Sequence, residues 1–145
     1  MKNFSQRKKK YNNAFEYALN LLSRKDYSEY ELKEKLLQYF DSSVDEVIEK
    51  LKERGLLSDE RYTERLCEKY MKKKYGFLKI KCELEKRGIG REVIDEVLPR
   101  LYTLEKEKEI AQYYLSKKPK EKLYSYLIQK GFRSRIVQEV LACKN

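Results

Sequence analysis

The sequence predicts an all-α protein: three tandem three-helix repeats, about nine helices, in an elongated, curved stack. Three observations predict it. Apolar residues recur at i, i+3/i+4 and i+7 along nearly the whole chain, the spacing of one helix face. Only five Gly and two Pro occur in 145 residues, so the helices meet few breakers. The helical pattern also repeats. With Leu32 set against Ile80 and Leu123, Leu36 falls on Leu84 and Leu127. The segments Val44-Asp45-Glu46-Val47-Ile48, Ile94-Asp95-Glu96-Val97-Leu98 and Val137-Gln138-Glu139-Val140-Leu141 then fall together. The second and third copies have ten steps between anchors, Leu84 to Ile94 and Leu127 to Val137, where the first has eight, Leu36 to Val44. Their turns read Arg87-Gly88-Ile89 and Lys130-Gly131-Phe132, where the first has Tyr39-Phe40. Each unit is too small to bury its apolar face alone, and stacking on its neighbours completes the core.

In chain order, residues 1–13 form a basic arm with five bases and no acid. The first repeat spans 14–57. Its first helix carries Ala14, Phe15, Ala18, Leu19 and Leu22 at helical spacing. Ser28 and Glu31 make a capping box for the second helix, with Leu32, Leu36 and Leu37 inward. Ser43 and Glu46 read as a second capping box, before Val47, Ile48 and Leu51. Gly55 is placed to end that helix in the left-handed conformation. The second repeat spans 58–102. Ser58 caps a long helix from Asp59 to about Tyr75, with Asp59 and Glu60 at the positive end of its dipole. Gly76 is expected to break it. A helix with Ile80 and Leu84 follows, then one with Val93, Ile94, Val97, Leu98 and Leu101, where Pro99 either kinks the last turn or marks the stop. The third repeat spans 103–145. Thr103 is a candidate cap for a helix with Ile110, Ala111, Tyr114 and Leu115 inward. Pro119 fits the first turn of the next, closed by Gly131, and Ser134 is read as capping the last.

Composition limits the function. With 40% charged and 12% aromatic residues, the chain has enough apolar residues for a core, and wholesale disorder is not expected. Net charge is +10 and unevenly spread: +5 over residues 1–13, −5 over 14–60, +5 over 61–101 and +5 over 102–145. Such polarity suits a polyanion at one end and a different partner at the other, or simply an uneven soluble surface. Cys67, Cys82 and Cys143 are odd in number and far apart, and there is no His. A Cys/His zinc site is excluded, a disulfide framework is not expected, and a reducing, cytoplasmic setting fits. Lys8-Lys9-Lys10 has no apolar stretch behind it, so no signal peptide is read, and no run reaches the length of a membrane span.

Several stretches carry a family likeness in their order and spacing. They are Ala18-Leu19-Asn20-Leu21-Leu22-Ser23-Arg24-Lys25-Asp26-Tyr27-Ser28 followed by Glu31-Leu32-Lys33-Glu34-Lys35-Leu36; Val47-Ile48-Glu49-Lys50-Leu51-Lys52-Glu53-Arg54-Gly55-Leu56-Leu57-Ser58-Asp59-Glu60-Arg61-Tyr62; and Leu84-Glu85-Lys86-Arg87-Gly88-Ile89. From about Ala14 to Leu141 the chain resembles the RecX family of bacterial recombinase regulators. It departs from the family pattern in lacking the Lys-Gly pair at the first repeat's second turn, and in a short third repeat whose first helix is rich in Tyr and Glu. The resemblance implies a regulatory protein that binds the filament of RecA on single-stranded DNA. It also implies inhibition of strand exchange and ATP turnover, a place in DNA recombination, repair and the SOS response, and DNA-binding in several members.

The chemistry of the chain agrees with a non-enzyme. There is no phosphate-binding loop of the Gly-x-x-x-x-Gly-Lys-Ser/Thr kind and no imidazole base. The carboxylate pairs Asp45-Glu46 and Asp95-Glu96 recur near helix N-termini, where the dipole accounts for them. No cofactor or metal is expected. The candidate contact residues are basic: Lys72, Lys73 and Lys74, then Lys79 and Lys81, then Lys117, Lys118, Lys120 and Lys122 at the matching place in the third repeat. They suit phosphates or an acidic filament surface, or else compensate helix dipoles on a solvated face. Arg7, Lys8, Lys9 and Lys10 read as a loose electrostatic arm. Tyr62, Tyr70, Tyr114 and Tyr126 share the spacing of core leucines, while Tyr75, at a break beside Lys74, is the candidate for base stacking. The expected partners are the RecA filament and, secondarily, single- or double-stranded DNA, with no membrane, and the chain is expected to act as a monomer. The alternatives are a helix-turn-helix type of DNA-binding protein acting without RecA, and a scaffold for another helical partner.

Overall fold

A computed structural model describes residues 13–143. Among them there is no strand, and nine α-helices follow one another: α1 (Ala14–Arg24), α2 (Glu29–Leu37), α3 (Val44–Glu53), α4 (Asp59–Lys72), α5 (Phe77–Lys86), α6 (Arg91–Leu101), α7 (Leu104–Gln112), α8 (Lys120–Gln129) and α9 (Ser134–Cys143). A 3-10 turn, Tyr113–Ser116, lies between α7 and α8. The all-α expectation and the series of three-helix groups hold. No helix among the described residues is long and apolar enough to cross a membrane. The helices gather into two compact units, one of residues up to Tyr62 with Arg87–Ile89, the other of Thr63–Lys86 and the residues from Gly90 onward.

In the first unit, α1, α2 and α3 enclose a core of Ala14, Ala18, Leu32, Leu36, Val44 and Leu51, each almost fully buried. The start of α2 is heavily tied. Ser28 Oγ accepts from the Glu31 N–H at 3.1 Å, and Glu31 Oε1 accepts from the Ser28 N–H at 3.0 Å, the capping box read from sequence. The same hydroxyl donates to the Arg87 carbonyl at 2.6 Å. Asp59 Oδ1 accepts from the Glu29 N–H at 2.9 Å, and burial raises the Asp59 carboxyl above the usual carboxylate range. Arg87 Nη1 donates to the Tyr62 hydroxyl at 2.7 Å; burial pushes that phenol up to about 12. Gly88, at φ +77°, packs so closely on Tyr30 that an added Cβ would lie 2.3 Å from the Tyr30 Cβ.

The stop of α3 is a Schellman cap. Gly55 has φ +71°, its N–H bonds the Lys52 carbonyl at 3.0 Å, and the Leu56 N–H bonds the Leu51 carbonyl at 2.9 Å. Ser58 then accepts from the Arg61 N–H at 3.2 Å, as its place before α4 predicts. The capping box expected at Ser43 does not form. Ser43 has φ −104° and ψ −1°, and its side chain makes no capping bond, because an N-cap hydroxyl reaches the third N–H only from an extended backbone.

In the second unit several expectations need correction. The fourth helix ends at Lys72, short of Tyr75. Gly76 does not make the stop: Lys74 takes φ +64°, with its N–H on the Met71 carbonyl at 2.9 Å and the Tyr75 N–H on the Tyr70 carbonyl at 3.1 Å. This is the Schellman geometry with lysine in the usual place of glycine. Gly131 repeats it after α8, at φ +89°, with bonds of 3.0 Å from its own N–H to the Ile128 carbonyl and 3.1 Å from the Phe132 N–H to the Leu127 carbonyl. Pro99 does not mark the stop of α6: it lies in the last turn, and the helix runs through it to Leu101. Ser134 is the first residue of α9, and Pro119, at ψ 146°, is the cap before α8. Thr103 does cap α7, accepting from the Lys106 N–H at 3.2 Å.

Candidate nucleic-acid interface

Gly76 is placed by a close backbone approach. Its N–H bonds the Lys130 carbonyl and the Leu78 N–H bonds the Gly131 carbonyl, both at 2.8 Å. A Cβ on Gly76 would lie 2.1 Å from the Phe132 nitrogen, so only glycine fits. This seam brings the end of α4 and the start of α5 against the turn between α8 and α9. Glu107 of α7 locks the same region. Its carboxylate is fully buried and accepts from the Phe77 N–H at 3.0 Å, the Arg133 N–H at 3.1 Å and Arg133 Nε at 2.6 Å. One acid therefore caps the first residue of α5 and the residue before α9 at once, where helix dipoles favour negative charge. The Arg133 guanidinium lies 3.8 Å from the Phe77 ring centroid.

Two tyrosine hydroxyls hold the end of α4 from below. Tyr114 donates to the Lys74 carbonyl at 2.9 Å, and Tyr102 to the Tyr75 carbonyl at 2.7 Å. Both carbonyls belong to the turn just beyond α4, so the two hydroxyls pin the chain where it leaves the helix. Burial pushes the Tyr114 phenol up to about 12 and the Tyr102 phenol higher, with the nearby Glu107 charge acting in the same direction on Tyr102.

Above this support runs a row of aromatic rings. Tyr113 meets Tyr114 edge-on with centroids 5.1 Å apart, Tyr114 meets Tyr126 at 5.2 Å, and Tyr70 meets Tyr75 edge-on at 5.5 Å. Lys130 joins the two stretches, its Nζ 4.6 Å from the Tyr75 centroid and 5.7 Å from that of Tyr126. Other ammonium groups sit along the row. Lys74 and Lys117 lie 4.7 and 5.3 Å from the Tyr113 centroid, Lys79 lies 5.9 Å from that of Tyr75, Lys118 4.3 Å from that of Tyr126, and Lys73 5.7 Å from that of Tyr70.

Of the residues singled out in the sequence, Lys73, Lys74, Lys79, Lys117, Lys118 and Tyr75 are thus brought together. Lys72, Lys120 and Lys122 are exposed at the neighbouring end of α4 and first turn of α8, and Lys81 is half-buried on α5. Arg7, Lys8, Lys9 and Lys10 lie outside the described residues. Helical spacing does not single out Lys130 or Tyr113 as contacts, and it puts Tyr70 and Tyr126 in the core. Tyr62 and Tyr114 are buried, but Tyr70 and Tyr126 are half-exposed under lysines. Lys130 had a signal: it is the basic member of the Lys130-Gly131-Phe132 turn. Tyr113 had none, since a 3-10 turn interrupts the helical period there.

The electrostatics favour a polyanion. From Lys69 to Cys82 there are six lysines and no acid. Among the described residues, Lys73, Lys74, Lys79, Lys117 and Lys130 have no carboxylate within 4.0 Å; ring faces, and not acids, seat their ammonium groups. An exposed cation–π contact contributes only about 0.5–1 kcal/mol, so little is lost when such a lysine turns to a phosphate. Dipole compensation at the end of α4 holds alongside this, because it leaves the charge accessible.

The sequence and the fold have known relatives. Residues 14–51 match the family model of the RecX first three-helix domain, and residues 58–98 that of the second. The regulatory protein RecX of Haemophilus influenzae strain PittEE is 33% identical over 138 residues, covering 83% of this chain and 88% of that protein. The regulatory protein RecX of Caldanaerobacter subterraneus subsp. tengcongensis is 34% identical over 132 residues, covering 86% of this chain and 67% of the relative. The crystal structure of RecX from Lactobacillus salivarius superposes with a TM-score of 0.81 at 25% identity, over 89% of this chain and 92% of that one. With two family models in register on consecutive helix groups and curated relatives alike over most of their length, the chain belongs to the RecX family of regulatory proteins.

Proposed function

We propose that the protein is a cytoplasmic, monomeric regulator that binds the RecA nucleoprotein filament and mainly inhibits RecA recombinase, ATPase and strand-exchange activity. DNA contact through the lysine row is a supporting term. The observation that carries the reading is the likeness to regulatory RecX proteins over 83% or more of the chain. The accessible positive charge of the second unit supports it, because a nucleoprotein filament offers both phosphates and protein carboxylates. The role is non-catalytic: the protein acts by occupying the filament.

The test is RecA ATPase on single-stranded DNA with and without the protein. Inhibition at low ratios to RecA is expected. Unchanged turnover, together with a sequence-specific footprint on naked DNA, would replace this reading with that of a helix-turn-helix type of DNA-binding protein. Charge reversal of Lys72, Lys73 and Lys74 together should weaken filament binding at moderate salt, and unchanged binding would remove that cluster from the contact.

A further inference from the structure

We infer that the tyrosine row is a stacking platform for unpaired bases, so that the second unit grips single-stranded DNA through base faces as well as phosphates and distinguishes it from duplex. This rests on the reading of the lysine row as a nucleic-acid contact.

Tyr113 is a large aromatic side chain left 46% exposed in a chain that buries most of its apolar residues. Among the described residues its only ring neighbour is Tyr114, with the two planes at 84°, so no ring is stacked parallel on Tyr113. Lys74 and Lys117 lie over the ring at 4.7 and 5.3 Å from its centroid. Both are long, flexible cations without a carboxylate partner among the described residues. An arriving base can displace such an ammonium from the ring face, and the displaced ammonium finds the phosphate beside that base. Tyr75 and Tyr126 repeat the arrangement, half-exposed and sharing Lys130. Rings and cations thus alternate along one surface, the combination that sequence-tolerant single-strand binders use.

A duplex can use only half of this. Its bases are already stacked on each other and show only their edges in the grooves, so its phosphates meet the lysines and the rings gain nothing. The preference follows from which chemical groups the polymer exposes. Hydrogen bonds hold the backbone at the Tyr75 end of the row: the Tyr114 and Tyr102 hydroxyls donate to the Lys74 and Tyr75 carbonyls, and Lys74 is in a left-handed conformation.

The chain has no Trp, so Tyr113→Trp supplies a single reporter at the exposed ring. Saturating oligothymidine should quench its emission, while a mixed-sequence duplex of equal length should bind without comparable quenching. In parallel, Tyr113→Leu should lower single-strand affinity about tenfold, leave duplex affinity unchanged and keep the salt dependence of binding. Tyr113→Phe, which keeps the ring, should bind as the parent does. Lys130→Gln should weaken both polymers and reduce the salt slope by roughly 0.7–0.9 for one lost phosphate contact. Equal affinity of Tyr113→Leu and parent for single strands, or an equal loss on both polymers, overturns the stacking inference while the phosphate reading stands on Lys130→Gln. A parent protein that binds neither polymer overturns both.

Discussion

Replacing Glu107 with Ala should be among the most damaging single changes in the second unit. The wild-type carboxylate is fully buried and satisfies three donors: the Phe77 and Arg133 N–H groups and Arg133 Nε. Alanine leaves all three unpaired, and with them the Arg133 guanidinium, whose Nη2 is already buried without a partner among the described residues. A buried donor without a partner costs about 1–3 kcal/mol, and breaking a buried ion pair from one side costs about 3–5 kcal/mol. Arg133 is 28% exposed in its side chain, so part of its cost is recovered by water. A loss of about 4 kcal/mol is expected, on the order of 10 °C in Tm for a chain of this size. Urea unfolding followed by circular dichroism measures it, with the m-value unchanged. Glu107→Gln is the informative companion. Its amide oxygen still accepts from the two N–H groups, but its NH2 then faces Arg133 Nε, donor to donor, so about half the loss should remain. A loss below about 1 kcal/mol for Glu107→Ala would refute the claim that this one acid holds two helix starts.

Other outcomes follow from the same geometry. Gly76→Ala should cost about 3 kcal/mol or more in thermal unfolding, because the new Cβ meets the Phe132 and Gly131 backbone at 2.1 and 2.2 Å and backbone cannot step aside. Gly55→Val should cost only about 1–2 kcal/mol, all of it from the left-handed backbone, since a Cβ at Gly55 meets nothing within 4 Å; Gly55→Asn should cost less. Lys74→Gly should stabilise the protein by about 0.5–1 kcal/mol by relieving φ +64°, while weakening single-strand binding; a change that moved both in one direction would contradict the assignment. Above pH 9 stability should fall steeply. Burial raises Tyr62, Tyr114 and Cys67 to about 12, from 10.0 for the phenols and 9.0 for the thiol, and raises Tyr102 as well. The unfolded chain loses these protons first, so their stabilising share is complete below about pH 9 and disappears towards pH 12, with slopes of up to about 1.4 kcal/mol per pH unit for each fully buried group. Tyr114→Phe should flatten the urea-derived slope by about one proton.

The helices were legible because periodicity and punctuation agree. Leu32, Ile80 and Leu123, aligned by sequence, are each fully buried, as are Leu36, Leu84 and Leu127. The Ser28 cap and the Gly55 stop form as their local chemistry dictates. What escaped the sequence was set by contacts distant along the chain. Glu107 reads as one acid in the run Glu105-Lys106-Glu107-Lys108-Glu109, and only α5 and α9 packed above it make it a buried cap. Lys74 occupies a conformation that lysine rarely adopts, held by Tyr102 and Tyr114, so no local rule places the end of α4 there. The candidate interface was half legible. Its lysines were visible as runs, but the rings that seat them were assigned to the core by helical spacing, and a 3-10 turn removed that spacing at Tyr113.

The seam at Gly76 also bears on how such a chain can be inherited and rearranged. Repetition in sequence suggests interchangeable modules, each free to be duplicated, lost or swapped. The second and third helix triplets do not meet that condition. The bare α-carbon at Gly76 has its reason in the Gly131-Phe132 backbone, and the N–H of Phe77 has its acceptor in Glu107. A third triplet grafted from another lineage would therefore have to bring a buried acid at the Glu107 position and a close-lying turn after its second helix. Otherwise it would leave a void on one side and an orphaned donor on the other. Recombination between relatives should be tolerated when the crossover leaves the second and third triplets with one parent, and penalised when it falls near Thr103.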